Sequence, residues 1–278
     1  MKTWILLIIA MFVLSACEFI ASDDEINAAV KAGDASMCDN LDTSNNAKRI
    51  DRCYSEVGSK TNDVSTCEKI SDSSYMSQCY EHVAVNTGKE ELCSKVNAQV
   101  NRRECYSGIA VKKKDMSICT SLNEDIKDGC IQEYAIGADD FDACSQIMPK
   151  SGWEDDCYMH FAIARKNENI CPEINSAKEK DNCYYEIAKL TNGNLLCDKI
   201  ENKDTKGRCV MDMARSMENE LECNRLDPDS YYWDKCVTQV AVLKKDVATC
   251  TMLEVGSEAM KSCELQVNNA IVQSTASS

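Results

Sequence analysis

Cysteine spacing constrains this chain more than any other feature of its sequence. Of its 19 cysteines, 18 lie between residues 38 and 263, where two kinds of position alternate. A leading cysteine has a branched aliphatic residue three places later, and a trailing cysteine begins a stripe of apolar residues. The leading cysteines are Cys38, Cys67, Cys93, Cys119, Cys144, Cys171, Cys197, Cys223 and Cys250. The trailing cysteines are Cys53, Cys79, Cys105, Cys130, Cys157, Cys183, Cys209, Cys236 and Cys263. The pair therefore recurs nine times with a period of about 26 residues, which is typical of repeat proteins.

Each leading cysteine lies in a predicted short helix. Seven of the nine residues found four places before a leading cysteine are Asp or Asn. These side chains accept hydrogen bonds from the free N–H groups at a helix start. The aliphatic residue three places after the cysteine then falls on the same helix face, one turn later.

Each trailing cysteine lies in a second predicted helix. In most repeats the cysteine and the residues one, four and five places after it are apolar or small, as in Cys79, Tyr80, Val83 and Ala84. These positions form one stripe of an α-helix, and the small residue lets a neighbouring helix approach closely. The final repeat has Glu264 and Asn268 in the stripe, which we interpret as the polar cap of a terminal repeat.

Spacing also separates packed segments from surface loops. From each trailing cysteine to the next leading cysteine the separation is 14 residues in all eight cases, whereas from leading to trailing it varies between 11 and 15. A constant length indicates a packed helix–turn–helix corner, and a variable length indicates an exposed loop. We therefore predict an all-α fold, an α/α-solenoid of nine hairpins over residues 26–270, with a polar tail at 271–278.

The N-terminus has the build of a secretory signal peptide. Lys2 precedes an apolar run from Trp4 to Leu14, which is too short to span a bilayer comfortably. The run ends in Leu14-Ser15-Ala16-Cys17, which closely resembles a bacterial lipobox.

The lipobox resemblance implies lipidation at Cys17. It implies removal of residues 1–16, a diacylglyceryl group on the Cys17 thiol and acylation of the new amino group, with residues 17–25 serving as a short tether. Two or three acyl chains hold a protein stably on a membrane. Because Glu18 follows the cysteine, we favour the outer membrane or the cell surface. The alternatives are an ordinary cleaved signal with a spare thiol, or an uncleaved anchor.

The eighteen repeat cysteines predict nine disulfides in an oxidising, extracytoplasmic compartment. Pairing within each hairpin, Cys38 with Cys53 and onward, uses every cysteine. Pairing across the constant corner, Cys53 with Cys67 and onward, leaves Cys38 and Cys263 unpaired, although the constant spacing argues for it. We favour pairing within hairpins.

The disulfides compensate for a small core. One repeat has too few apolar side chains to offset its chain entropy, and a bridge of this loop length contributes roughly 3 kcal/mol.

Charge and motifs exclude several function classes. The formal charge of −15 becomes −16 once Lys2 is removed with the signal, so we expect no nucleic-acid partner. An acidic surface favours solubility, or else serves as a binding surface for a basic partner.

No C-x-x-C, G-x-S-x-G or H-E-x-x-H motif occurs, so we predict no metal, cofactor or catalytic residue. We expect His82 and His160 to be partly exposed, and pairs such as Glu90-Glu91 and Asp155-Asp156 to form a solvated face.

The plan of residues 26–270 resembles disulfide-stapled helical repeats related to the Sel1-like and tetratricopeptide families. It is an architectural resemblance, and it implies one bridge per hairpin. We expect a membrane-anchored scaffold that binds another envelope or secreted protein or a peptide, and not an enzyme. The alternatives are a cell-envelope enzyme or cell-wall-ligand protein, and a purely structural envelope spacer.

Overall fold

The computed structural model describes residues 24–41 and 48–276. These residues form helices and turns without any β-strand, in repeated pairs of one short and one long helix. The predicted fold class, an all-α solenoid of helical hairpins, is therefore confirmed. A helix at residues 24–32 precedes the first pair. Within the described ranges, no helix is both long enough and apolar enough to cross a bilayer.

Short helices carry the leading cysteines. They are Ala35–Asn40, Val64–Cys67, Glu90–Lys95, Ser117–Thr120, Phe141–Gln146, Glu168–Glu173, Asn194–Lys199, Glu220–Arg225 and Val247–Met252. Long helices carry the trailing cysteines. They are Arg49–Thr61, Ser73–Thr87, Gln99–Lys113, Glu124–Ala138, Gly152–Ala164, Ala177–Thr191, Lys203–Ser216, Tyr231–Lys244 and Glu258–Ala276.

Two compact units divide the chain, an N-terminal unit up to Ile147 and a C-terminal unit from Met148. Inside each unit, a long helix packs against the long helix of the next repeat and against the short helix that follows it. The predicted stripe forms this interface, since Cys79, Val83 and Ala84 are all completely buried. At the last repeat, Asn268 is exposed and Glu264 is half-buried, as expected for a terminal cap.

Side-chain caps start most of the short helices. Six of the seven predicted Asp and Asn residues accept a hydrogen bond from the amide two places later: Asp34, Asp63, Asp115, Asn167, Asn219 and Asp246. Asp140 makes no such bond. Hydrogen bonds from neighbouring Ser or Thr hydroxyls, and then from these amides, hold the pKa values of the four capping aspartates below the usual range.

The constant corner has a single backbone geometry. Nine residues after each of the first eight trailing cysteines, the chain adopts a left-handed conformation with φ between 49° and 71°. The next residue then donates its N–H to the carbonyl five places earlier, as in Asp140 to Ala135 at 2.8 Å and Asp246 to Ala241 at 3.0 Å. This is a Schellman-type helix end, and it places the next capping residue at a fixed distance along the chain. The corner therefore admits no insertion.

Candidate functional site

The predicted cysteine residues have two different outcomes. Cys17 lies outside the described residues. All eighteen repeat cysteines are disulfide-bonded, and the partners follow the within-hairpin register. The pairs are Cys38–Cys53, Cys67–Cys79, Cys93–Cys105, Cys119–Cys130, Cys171–Cys183, Cys197–Cys209, Cys223–Cys236 and Cys250–Cys263, and Cys144 and Cys157 are disulfide-bonded too. The register across the corner is excluded for these eight pairs.

A carboxylate links one repeat to the next. It belongs to an aspartate two places before a trailing cysteine, and it accepts the two backbone N–H groups that precede the next long helix. Asp181 accepts the amides of Glu201 and Asn202, both at 2.9 Å. Two free amides at a helix start attract a negative charge, so each such aspartate fastens adjacent repeats. We call this arrangement the amide clamp.

Two further aspartates form the same clamp. Asp51 accepts the amides of Ser71 and Asp72 at 2.9 and 2.8 Å, and Asp155 accepts those of Asn175 and Ser176 at 2.6 and 3.0 Å. The expectation that Asp155 lies on a solvated face is therefore wrong. Asp155 is 6% exposed and Asp181 is 5% exposed, because each carboxylate is fully used between two repeats.

The clamp is missing where the Cys209 repeat meets the Cys223 repeat. Gly207 occupies the clamp position, and an added Cβ there would lie 2.5 Å from the ring of Tyr232. On the other side, Pro228 has no N–H to donate. The backbone amides of the intervening loop and the next helix start find local partners instead. The Asp227 carboxylate accepts a hydrogen bond from the Asp229 amide at 3.0 Å, and the Ser230 hydroxyl accepts one from the Trp233 amide at 3.3 Å. A first groove of about 640 Å³ opens at this junction.

The clamp is also missing at the next junction. Asp234 occupies the clamp position but is exposed, and no described residue donates a hydrogen bond to its carboxylate. The facing loop turns on itself through Gly256, with φ of 78°, and through a hydrogen bond from the Ser257 amide to the Glu254 carbonyl at 3.0 Å. A second groove of about 830 Å³ opens here.

The two grooves share Ser230 and Tyr231, so we call them together the twin groove. Tyr231 forms the ridge between them and is 67% exposed. Lys235 lies 4.8 Å above its ring. Both grooves fall within the C-terminal unit and have the size of ligand sites in proteins.

Opposite charges balance in the first groove. Arg225 contacts Asp198 at 2.6 Å and Glu222 at 3.1 Å, and Lys206 contacts Asp198 at 3.4 Å. Ion pairing with Arg225 and Lys206 outweighs burial and lowers the pKa of Asp198. The apolar floor consists of Ile200 and Leu226.

Acidic groups dominate the second groove. Asp229, Asp234 and Glu254 line it, and no Lys or Arg is among the lining residues. Trp233 contributes a largely buried aromatic wall. The two grooves therefore differ in chemistry, although they are adjacent.

The next features are metal-binding groups and histidines. Across residues 24–41 and 48–276, no group of three His, Cys, Asp or Glu side chains could hold a metal ion. His82 and His160 are exposed and lie in different units. Burial raises the pKa of Tyr185 to about 12, helped by a 2.5 Å hydrogen bond from its hydroxyl to Asp212.

Comparisons with protein-family models, curated proteins and solved structures return no match. The twin groove was not predicted from the sequence. Aligning the repeats does not single it out, because Asp stands two places before the trailing cysteine in five of nine repeats, and Ser77, Arg103, Gly207 and Lys261 stand there in the others.

Proposed function

We propose that this chain is a lipid-anchored, extracytoplasmic scaffold that binds another protein or a peptide in the twin groove. The disulfides place the repeats in an oxidising compartment outside the cytoplasm. The lipid anchor is inferred from the lipobox-like Leu14 to Cys17. Helical-repeat proteins generally bind partners along extended surfaces, and variation between repeats concentrates where they bind.

The observation that carries the binding proposal is a pair of adjacent grooves at two junctions of the C-terminal unit. Two successive junctions lack the amide clamp, and both open into grooves on either side of the exposed ring of Tyr231. Exposed aromatic residues beside concave surfaces are enriched at the energetic centres of protein interfaces. A purely structural spacer would have no need of an exposed aromatic ring between two grooves.

Affinity capture from envelope extract tests the binding proposal. Wild-type protein and the Tyr231→Ala variant are compared with a Leu195→Ala control, because Leu195 is 72% exposed and lies outside both grooves. We expect a stoichiometric partner with wild type and the control, and its loss with Tyr231→Ala. Equal capture by all three proteins, or no capture by any, would contradict the proposal.

Mass spectrometry of the intact mature protein tests the anchor. We expect a chain that begins at Cys17 and carries acyl chains, and a Cys17→Ser variant that is released from membranes. A mature wild-type chain without lipid would rule out the anchor and leave the binding proposal standing.

A further inference from the structure

The second groove holds carboxylates without protein partners. Some acidic side chains of the C-terminal unit have protein partners, as in the Asp181 clamp and the contact of Glu220 with Lys244 at 2.5 Å. Within the part of the chain that the structure describes, Asp229, Asp234 and Glu254 form no ion pair. Three unpaired negative charges around one concavity attract a cation, and the concave surface focuses their field.

Aromatic surface accompanies these charges. Tyr231 and Trp233 line the same groove, and the Lys235 Nζ already lies 4.8 Å from the centroid of the Tyr231 ring. A lysine or arginine side chain can lay its aliphatic stem along an aromatic ring while its charged end reaches a carboxylate. The combination fits a basic side chain better than a metal ion, since no metal-binding group is found among the described residues.

The first groove suits a different side chain. Its Arg225 and Lys206 are already paired with Asp198 and Glu222, and its floor of Ile200 and Leu226 is apolar. An apolar side chain could pack on Ile200 and Leu226 without separating these ion pairs. The grooves lie at successive junctions of packed helices, which are roughly 10 Å apart, and an extended peptide covers about 10 Å in three residues.

From this geometry we infer that the twin groove binds an extended peptide segment in which an apolar and a basic residue stand three positions apart. The basic side chain enters the second groove, the apolar one enters the first, and the backbone crosses the ridge at Tyr231. This inference rests on the proposed function, because it assigns the ligand class of the same site.

Fluorescence anisotropy with matched peptides tests the inference. The full-length protein, purified in detergent with its disulfides intact, is titrated with three labelled octapeptides. The first has the sequence Gly-Gly-Leu-Ser-Ser-Lys-Gly-Gly, and in the other two the Lys is replaced by Gln or by Glu. We expect the Lys peptide to bind at least about fivefold more tightly than the Gln peptide, with the Glu peptide weakest, and the preference to shrink in high salt.

Protein variants locate the preference. The double variant Asp234→Asn, Glu254→Gln removes two of the three carboxylates. Its affinity for the Lys peptide should fall to the affinity that the wild-type protein has for the Gln peptide. The control Asp142→Asn removes an exposed carboxylate in the N-terminal unit and should change nothing. Equal binding of the Lys and Gln peptides, or a preference that survives the double substitution, would overturn the inference.

The two proposals fail differently. If an envelope partner is captured in a Tyr231-dependent way but the Lys peptide has no advantage, the scaffold function stands and the ligand class is wrong. If neither an envelope partner nor any peptide depends on Tyr231, both proposals are wrong.

Discussion

Replacing Asp181 by Asn should destabilise the C-terminal unit by about 3 kcal/mol. The Asp181 carboxylate is 5% exposed and accepts two amide hydrogen bonds, each at 2.9 Å. A hydrogen bond to a charged acceptor contributes about 1.5–3 kcal/mol, so the pair contributes about 4 kcal/mol. Asparagine keeps one neutral acceptor, which retains about 1 kcal/mol, and turns an NH₂ donor towards the other amide.

The matched control is Asp234→Asn, because Asp234 has the same repeat position and no amide partner among the described residues. Urea denaturation of the oxidised proteins should show a change within about 0.5 kcal/mol for the control. Hydrogen exchange adds a local readout, since the amides of Glu201 and Asn202 should lose protection only in Asp181→Asn. Equal effects of the two substitutions would refute the clamp.

Three further predictions concern the corners, the bridges and the buried tyrosines. Lys114→Gly should stabilise the protein against urea by about 1 kcal/mol, because φ at Lys114 is 54° and glycine adopts this conformation without strain. Gly88→Ala at the equivalent corner should destabilise the protein by a similar amount. The opposite signs would contradict the corner geometry. Replacing both Cys197 and Cys209 by Ala should cost about 3 kcal/mol in the same assay, and an unchanged midpoint would show that sulfur does not substitute for a core here. Burial, with a hydrogen bond to Asp39, raises the pKa of Tyr54 to about 12. Because the unfolded tyrosine titrates near 10, its contribution is complete below about pH 10 and is lost as pH rises towards 12. Absorbance titration at high pH should show one fewer late-titrating tyrosine in Tyr54→Phe, and an unchanged curve would contradict the assignment.

Contacts local in sequence were predictable. The alternation of trailing and leading cysteines, such as Cys79 and Cys93, predicted the helix pairs, the disulfides and the constant corner. Each of these features depends on residues within one repeat or on the adjoining turn. The left-handed corner residue was not predicted from the sequence, since four of the eight corners have Lys or Glu there, namely Lys114, Lys166, Glu218 and Lys245, and these residues do not favour this conformation.

Contacts between repeats were harder to predict. Asp155 is one of three consecutive acidic residues and was expected in solvent, yet it accepts hydrogen bonds from amides that lie 20 and 21 residues later in the chain. Nothing in the composition near Asp155 indicates those amides, because backbone donors are identical in every sequence. The twin groove was missed for the same reason, since a groove defined by a missing clamp cannot be recognised before the clamp is known.

Two kinds of bond therefore contribute to the stability of this fold, with disulfides closing the hairpins and the carboxylates of Asp51, Asp155 and Asp181 fastening neighbouring hairpins. The junctions at Gly207 and Asp234 have the first kind without the second, so they should open most easily within the C-terminal unit. A peptide lying across both grooves would supply contacts where the clamp is absent. Binding should then slow amide exchange in residues 227–230 and 254–257 more than elsewhere in this unit. Slower exchange confined to the clamped loop at Glu201 and Asn202 would place the ligand at another surface.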